Sequence, residues 1–229
     1  MSLRSRYEAV LEQVACACEA AGRSLSDVTV IGVSKTVGLG SVQQAIDAGI
    51  RDFGENRPDE LVRKHDAFPM ETWHFIGNIQ SRQLRNVVGR ASLIHSLCSA
   101  DHARKIDDLA AKAGIVQPVL IEINDGEENK QGVSVEDAPA LFETVRALDH
   151  LRVEGLMGMA PKGDAHAARR AFERIRVLRD DLESRYSDEL APCRLQTLSM
   201  GMSDDFASAI AEGSTMVRVG RAIFSEDYR

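Results

Sequence analysis

Short apolar runs alternate with longer amphipathic segments along the whole chain. Eight of the runs are rich in apolar and β-branched residues, which is typical of strands buried in a parallel sheet. The predicted strands cover residues 28–34, 51–55, 73–77, 93–97, 118–124, 152–160, 194–201 and 215–223. Loops with glycine or asparagine follow these runs and lead into helical patterns.

The segments between the runs have the periodicity of amphipathic helices. The predicted helices cover residues 41–49, 99–114, 134–148, 164–186 and 203–213, and a further helix at about 3–22 precedes the first strand. Gly49 and Gly114 predict left-handed C-terminal caps. Ser134 and Asp137 stand at capping-box spacing, and Ser99 can cap the second helix.

Regular alternation of strand and helix predicts right-handed βαβ units and a parallel sheet. Eight such units can close into a barrel, and 229 residues are enough for one. The alternative is an open doubly wound sheet, for which Gly38 and Gly40 supply only an incomplete G-x-G-x-x-G motif. We therefore predict an α/β fold, a single (β/α)₈ TIM-like barrel domain over residues 1–229 with an extra N-terminal helix.

The net charge and the cysteines indicate which partners and which compartment to expect. The net charge of -7 and the pI of about 5.4 do not favour binding to nucleic acid or to an anionic membrane. The sequence has no apolar leader or bilayer-spanning run, so we expect a cytoplasmic protein without a membrane partner. Free thiols in a reducing compartment fit the four cysteines, none of which forms a C-x-x-C pair. The histidines lack metal-ligand spacing, and we predict no metal.

Polar residues are dense at the predicted C-terminal ends of the strands, where barrels of this class place their active sites. Lys35 directly follows the first strand. A lysine desolvated beside other cations has a lowered pKa, and part of it is then the free amine that attacks an aldehyde. The alternative is a lysine that extends into solvent.

Arg218 lies inside an apolar strand, where alternation places it on one face with Met216 and Gly220. An arginine that faces a barrel interior is costly unless it is paired. A structural ion pair with Glu122 or Glu154 would satisfy it. The other interpretation is an anchor for an anionic or ring-nitrogen ligand.

Two glycine-containing turns predict a phosphate site. Residues 199–203 lead into a predicted helix, and residues 219–222 offer successive backbone amides. Phosphate sites after the seventh and eighth strands are common in this fold, and closure of the barrel brings them beside Lys35. His74 can face the mouth or be a hydrogen-bonded core residue, whereas Met157 is more typical of core packing.

Several motifs in order make the chain resemble a known family. They are VSKT (33–36), RDFGEN (51–56), WHFIGNIQ (73–80), IHS (94–96), GEENKQG (126–132), GLM (155–157), LSMGMSDDF (198–206) and GSTMVRVGRAIF (213–224). Over about residues 25–225 the chain resembles the pyridoxal phosphate homeostasis protein family, whose barrel is related to the N-terminal domain of alanine racemases. The resemblance implies that the cofactor is pyridoxal 5′-phosphate (PLP).

The resemblance also implies roles for individual residues. Lys35 is expected to carry PLP as a Schiff base, Arg218 to face the pyridine nitrogen, and Asn56 to lie near the cofactor. Lys130 corresponds to a lysine that family members have in the loop after the fifth strand. The residues expected to bind the phosphate are Ser199, Met200, Gly201, Gly220 and Arg221.

Three positions depart from the family pattern. Gly38 stands where members often have a second lysine, so transfer of PLP to a neighbouring lysine there is in doubt. Arg221 replaces a small residue, so only its backbone amide is expected to bind. Ser225 replaces a glycine of the C-terminal turn.

Three functions remain open at this point. The first is a non-catalytic PLP carrier in PLP homeostasis, with small amines or amino acids and PLP-accepting apo-enzymes as partners. The second is a PLP-dependent amino-acid racemase, because racemases also place an arginine at the pyridine nitrogen. The third is a Schiff-base aldolase acting on a sugar phosphate. We expect a monomer with little turnover, since Tyr7, Tyr186 and Tyr228 are predicted away from the strand ends and no second domain is expected to supply the other base.

Overall fold

Eight parallel strands close into one barrel in the computed structural model, which describes residues 1–124, 131–161, 163–187, 191 and 193–226. Every strand pairs with the next in chain order, and the last strand pairs with the first. The strands are β1 (Thr29–Val33), β2 (Asp52–Glu55), β3 (Thr72–Phe75), β4 (Leu93–Leu97), β5 (Gln117–Ile123), β6 (Leu151–Gly158), β7 (Thr197–Ser199) and β8 (Met216–Val219). The predicted (β/α)₈ fold is confirmed.

Helices surround this barrel. They are α1 (Leu3–Ala20), α2 (Leu39–Ala48), α3 (Pro58–Ala67), α4 (Leu84–Val87), α5 (Ala100–Ala113), α6 (Ala138–Arg146), α7 (Ala165–Arg185), α8 (Phe206–Ala211) and α9 (Arg221–Phe224). The extra N-terminal helix α1 packs against α2, α8 and α9, and so closes the ring where the first and last units meet. Among the described helices, none has the length and apolar character needed to cross a bilayer.

Several helix boundaries differ from the sequence prediction. The sequence pattern misses α3, α4 and α9, because α3 is strongly polar and the other two form a single turn each. Helix α6 begins at Ala138 and not at Ser134, since the predicted capping pair bonds within a preceding turn. There the Asp137 amide donates to Ser134 Oγ (3.0 Å) and that hydroxyl donates to Asp137 Oδ2 (2.8 Å). Helix α8 begins at Phe206, after the predicted start at Ser203.

The predicted caps of two other helices are confirmed. Gly49 and Gly114 end α2 and α5 in the left-handed region, with φ of 108° and 67°. Ser99 Oγ accepts a hydrogen bond from the His102 amide at the start of α5.

Apolar side chains fill both the layer outside the sheet and part of the barrel interior. Trp73 stacks on Phe53 outside the sheet, whereas its neighbour His74 points inward. Inside, Met157 packs with Leu93 and Leu120 and is 2% exposed. Met157 therefore fills the core at this level of the barrel.

A buried polar cluster joins the C-terminal ends of β1 and β2. Lys64 on α3 donates from Nζ to Glu55 Oε1 (2.5 Å) and to the Ser34 carbonyl (2.8 Å), and Ser34 Oγ donates to the same Glu55 oxygen (2.6 Å). The Lys64 and Glu55 side chains are both 0% exposed. The Val37 amide also donates to the Ser34 carbonyl, which closes a turn after β1. The position of that turn therefore depends on an ion pair shielded from water.

Replacing Lys64 with methionine is expected to destabilise the protein by about 3–5 kcal/mol, because the Glu55 carboxylate is left buried and unpaired. Urea unfolding followed by circular dichroism measures the change. The exposed Lys112→Met is the matched control and is expected to stay within about 0.5 kcal/mol of the wild type. The double variant Lys64→Met/Glu55→Met is expected to recover part of the loss, since no unpaired charge remains. A single-variant loss below about 1 kcal/mol would contradict the structural role.

Candidate functional site

Lys35 stands at the centre of the turn that the Ser34 cluster anchors. It follows β1 by two residues, and the Val37 amide closes the turn on the Ser34 carbonyl at 3.0 Å. The sequence analysis leaves open a desolvated lysine or a lysine that extends into solvent. The side chain is exposed, because it stands on a turn beyond the last residue of the strand.

Asn56 occupies the equivalent position after β2 and is half-buried. The loop after β3 runs directly against it: a methyl group on Gly77 would lie 2.1 Å from the Asn56 carbonyl oxygen. Any larger residue at position 77 would push the two loops apart. Glycine here therefore maintains the close packing of this side of the barrel mouth.

Arg218 on β8 is 5% exposed and points into the barrel. Its Nη1 donates to the Ser199 carbonyl (2.5 Å) and hydroxyl (2.7 Å), and its Nη2 donates to the Gly158 carbonyl (3.0 Å). Among the described residues no carboxylate forms a salt bridge with it, and Glu154 pairs with Arg152 instead. The ion-pair interpretation is therefore wrong, because neutral oxygens on β6 and β7 hold this guanidinium.

Two donors of Arg218 remain uncommitted. Its Nε hydrogen and one Nη2 hydrogen form no hydrogen bond with any residue that the structure describes. Burial lowers the pKa of Arg218 to about 10, so the side chain is still a cation at neutral pH. A ligand atom that accepts hydrogen bonds would therefore find a positively charged, oriented donor inside the barrel.

Glu122 is the carboxyl group that the barrel interior buries near this arginine. It is 4% exposed, and no hydrogen bond or ion pair joins its side chain to another described residue. Burial raises the pKa of Glu122 to about 7, and the positive charge of Arg218 opposes that rise. Near neutral pH this group can thus either donate or accept a proton.

The two predicted phosphate turns contact one another. The Ala222 amide donates to Ser203 Oγ (3.4 Å), and the Arg221 side chain pairs with Asp204 across the turns. Gly201 has a φ of 90°, and a methyl group there would lie 2.7 Å from the Cβ of Ala209. Met200 buries its side chain in the outer core, so only its backbone borders the turn.

The second turn also packs against β1. A methyl group on Gly220 would lie 3.3 Å from the Val33 carbonyl oxygen, two residues before Lys35. Closure of the barrel thus brings the glycine turn after β8 beside the Lys35 turn, as the strand order predicts.

The Ser199 hydroxyl does not face these turns. It is fully buried, accepts from Arg218 and lies 2.9 Å from Nδ1 of His95 on β4. A phosphate at the turn can use the backbone near Ser199, whereas its hydroxyl is occupied inside the barrel. The sequence analysis misses His95, although strand alternation places it on the same face as Leu93.

Lys130 and Tyr228 lie outside the described residues. The other two tyrosines are placed away from the mouth. Tyr7 is on α1, where burial and the charge of Asp52 at the start of β2 raise its pKa. Tyr186 follows α7 and packs against Phe142.

Comparison with known proteins identifies relatives over nearly the whole chain. Residues 8–227 match the family described as alanine racemase, N-terminal domain. The pyridoxal phosphate homeostasis protein of Aquifex aeolicus is 40% identical over 231 residues, covering 99% of both chains. PipY of Synechococcus elongatus, solved with PLP bound, is 29% identical with a TM-score of 0.85, covering 98% of this chain and 100% of its own.

A more distant structure shares the fold alone. The alanine racemase of Clostridium difficile is 13% identical with a TM-score of 0.70, and the match covers 96% of this chain but 58% of that one. The whole-length similarity to the homeostasis proteins thus stands apart from the partial, fold-level similarity to racemases. The chain belongs to the pyridoxal phosphate homeostasis protein family, whose barrel matches the N-terminal domain family of alanine racemases.

Proposed function

We propose that this protein binds PLP at the barrel mouth, as a Schiff base on Lys35, and acts in PLP homeostasis as a carrier. The observation that carries the proposal is the buried Arg218 with two uncommitted donors, on the strand next to the Lys35 strand. The PLP bound to PipY supports the same cofactor here. On this proposal residues 1–229 act as one cofactor-binding unit.

The residues present fit each part of the cofactor. Lys35 is an exposed primary amine that can reach an aldehyde at the mouth. The turns around Gly201 and Gly220 offer backbone without side-chain bulk, which suits a phosphate. Arg218 offers donors to a ring nitrogen, and Asn56 borders the same mouth. A lysine, an arginine and two glycine turns at one end of one barrel match the chemical groups of PLP.

PLP would supply an aldehyde, and Lys35 would supply the primary amine that condenses with it with loss of water. Arg218 keeps its proton at neutral pH, so a ring nitrogen that accepts from it would stay unprotonated and the ring would be a weaker electron sink. That electronic state suits retention and release of the aldehyde better than rapid carbanion chemistry.

The partners follow from the same chemistry. Small amines or amino acids would compete with Lys35 for the aldehyde, and apo-enzymes with their own lysine would be able to receive it. A monomer provides everything that the proposed site needs. The four cysteines are all unpaired, which suits a reducing compartment such as the cytoplasm.

Lys35→Ala is expected to abolish the PLP adduct that borohydride fixes at this position, because no other amine stands on the turn. Mass spectrometry of the reduced, digested protein locates the adduct, and visible absorbance reports its formation. The exposed Lys105→Ala is the matched control and should retain full occupancy. A Lys35→Ala protein that is fully reducible at another lysine would refute the assignment.

The wild-type protein is expected to show little racemisation of L- or D-amino acids. Two-base racemisation needs a group on each face of the α-carbon, and Tyr7 and Tyr186 lie away from the mouth. Chiral chromatography after incubation with PLP and each amino acid measures turnover. Rates of about 1 per second or more would favour the racemase over the carrier.

Glu122→Gln is expected to flatten the pH dependence of stability. The pKa of Glu122 in the folded protein, about 7, exceeds its ordinary 4.5. Protonated Glu122 thus favours folding fully below about pH 4.5, and this contribution is lost as pH rises through about 7. The wild type should lose up to about 3 kcal/mol relative to the variant across that window.

Urea unfolding of both proteins at several pH values tests this, with the exposed Glu8→Gln as control. Parallel pH profiles for the wild type and Glu122→Gln would show that Glu122 titrates normally.

A further inference from the structure

A line of polar contacts crosses the barrel interior below the proposed cofactor ring. From Arg218 Nη1 it passes to Ser199 Oγ (2.7 Å), from there to His95 Nδ1 (2.9 Å), from His95 Nε2 to His74 Nδ1 (3.0 Å), and from His74 Nε2 to Asp52 Oδ1 (3.2 Å). These residues lie on β8, β7, β4, β3 and β2. Because β4 and β7 are not neighbours in the sheet, their contact must pass through the interior.

With both histidine rings neutral, the donors and acceptors of this line admit one direction. Arg218 can only donate, so Ser199 Oγ accepts from it with one lone pair, and the hydroxyl hydrogen is directed to His95 Nδ1. Burial, with the nearby positive charge of Arg218, lowers the pKa of His95 well below 6.5, so the ring is neutral at pH 7. Its Nε2 hydrogen then points to His74.

The same logic continues to the carboxylate. His74 accepts at Nδ1, so its Nε2 carries the hydrogen that is directed at Asp52. Asp52 opens β2 at the end of the barrel opposite the mouth, and its side chain is 30% exposed, whereas that of His74 is 4% exposed. Every hydrogen bond in the line therefore points from the buried cation towards the distant, partly hydrated carboxylate.

We propose that Asp52, His74 and His95 are positioning residues that hold Ser199 and Arg218 in the orientation needed to bind the PLP ring. The proposal rests on the proposed function for its ligand. Asp52 selects the Nε2–H tautomer of His74, which selects that of His95. Ser199 then donates its hydroxyl hydrogen to His95 Nδ1. Its oxygen is left to accept the hydrogen bond from the Arg218 guanidinium.

The physical reason lies in the cost of burying Arg218. Its charge is removed from water without a carboxylate in salt-bridge contact among the described residues, so direct stabilisation comes from oriented dipoles, while the charges of Asp205 and Glu122 support it from a greater distance. Both bonds of Nη1 are made by Ser199. If the Ser199 side chain rotates away, the hydrogen bond from Nη1 to Oγ is lost. The guanidinium plane can then tilt, and its two uncommitted donors move with it.

The first test needs no cofactor. Nitrogen-15 NMR of histidine-labelled protein, assigned with His74→Gln and His95→Gln, identifies the protonated nitrogen of each ring. The expected result is an Nε2–H tautomer for both rings in the wild type, with Nδ1 unprotonated. Nδ1–H tautomers would reverse the line and overturn the proposal.

The second test measures PLP itself, by equilibrium titration and by the visible absorbance of the complex. His95→Leu and Asp52→Ala are expected to weaken PLP binding about tenfold and to displace the absorbance band. His95→Gln and Asp52→Asn keep an acceptor at each position and are expected to restore most of the affinity. Substitution of a residue with a purely structural role at the end of the barrel opposite the mouth would leave the absorbance band of the PLP complex in place.

Gln117→Met is the matched control. Gln117 opens β5 at the same end as Asp52, is 1% exposed, and bonds to Ala91 and Gly89 instead of to the line. Its loss should lower the thermal midpoint and leave the band in place. If the wild type binds PLP and the Asp52 and His95 variants behave like Gln117→Met, the proposed positioning role is wrong, whereas the proposed function is unaffected. If the wild type binds no PLP, the proposed function fails, whatever the tautomers.

Discussion

The buried guanidinium of Arg218 is the constraint on which the interior of this barrel depends. A cation in that position cannot be left without acceptors, and the structure supplies them from β6 and β7, with no carboxylate of the described residues in salt-bridge contact. The polar residues on β2, β3 and β4 extend this arrangement away from the mouth. The remaining interior is filled by apolar side chains such as Leu93, Leu120 and Met157.

The mouth is organised by a buried ion pair between Lys64 and Glu55 at the ends of the first two strands. Lys64 and Glu55 fix the Ser34 carbonyl, and the turn that carries Lys35 starts from that carbonyl. The lysine itself remains exposed while the backbone beneath it is held. An anchored backbone under an exposed amine suits the role proposed for Lys35, since the amine is reached from solvent while its position is fixed.

Much of the fold could be predicted from the sequence, because strand and helix patterns differ in period and eight alternations leave few topologies. Lys35 and Arg218 could be located by strand alternation and by the family motifs. The partners of Arg218 could not. Glu122 and Glu154 are plausible carboxylates in a linear sequence, but only the register of the closed barrel shows that Ser199 and Gly158 reach it first. Lys64 lies in a helix too polar for its pattern to stand out, and the role of His95 requires knowing what stands across the interior.

The common direction of the hydrogen bonds from Arg218 to Asp52 has an evolutionary consequence. Arg218 only donates and Asp52 only accepts, whereas Ser199, His95 and His74 each accept from one neighbour and donate to the other, so the role of each is set by the rest. A substitution that changes which groups donate and accept conflicts with the neighbouring residues. A lysine in place of His95, for example, could not accept the hydrogen bond from Ser199. Tolerated changes along this line must therefore be epistatic: substitutions at positions 52, 74, 95 and 199 should occur in compensating sets, whereas the apolar interior positions can drift one at a time.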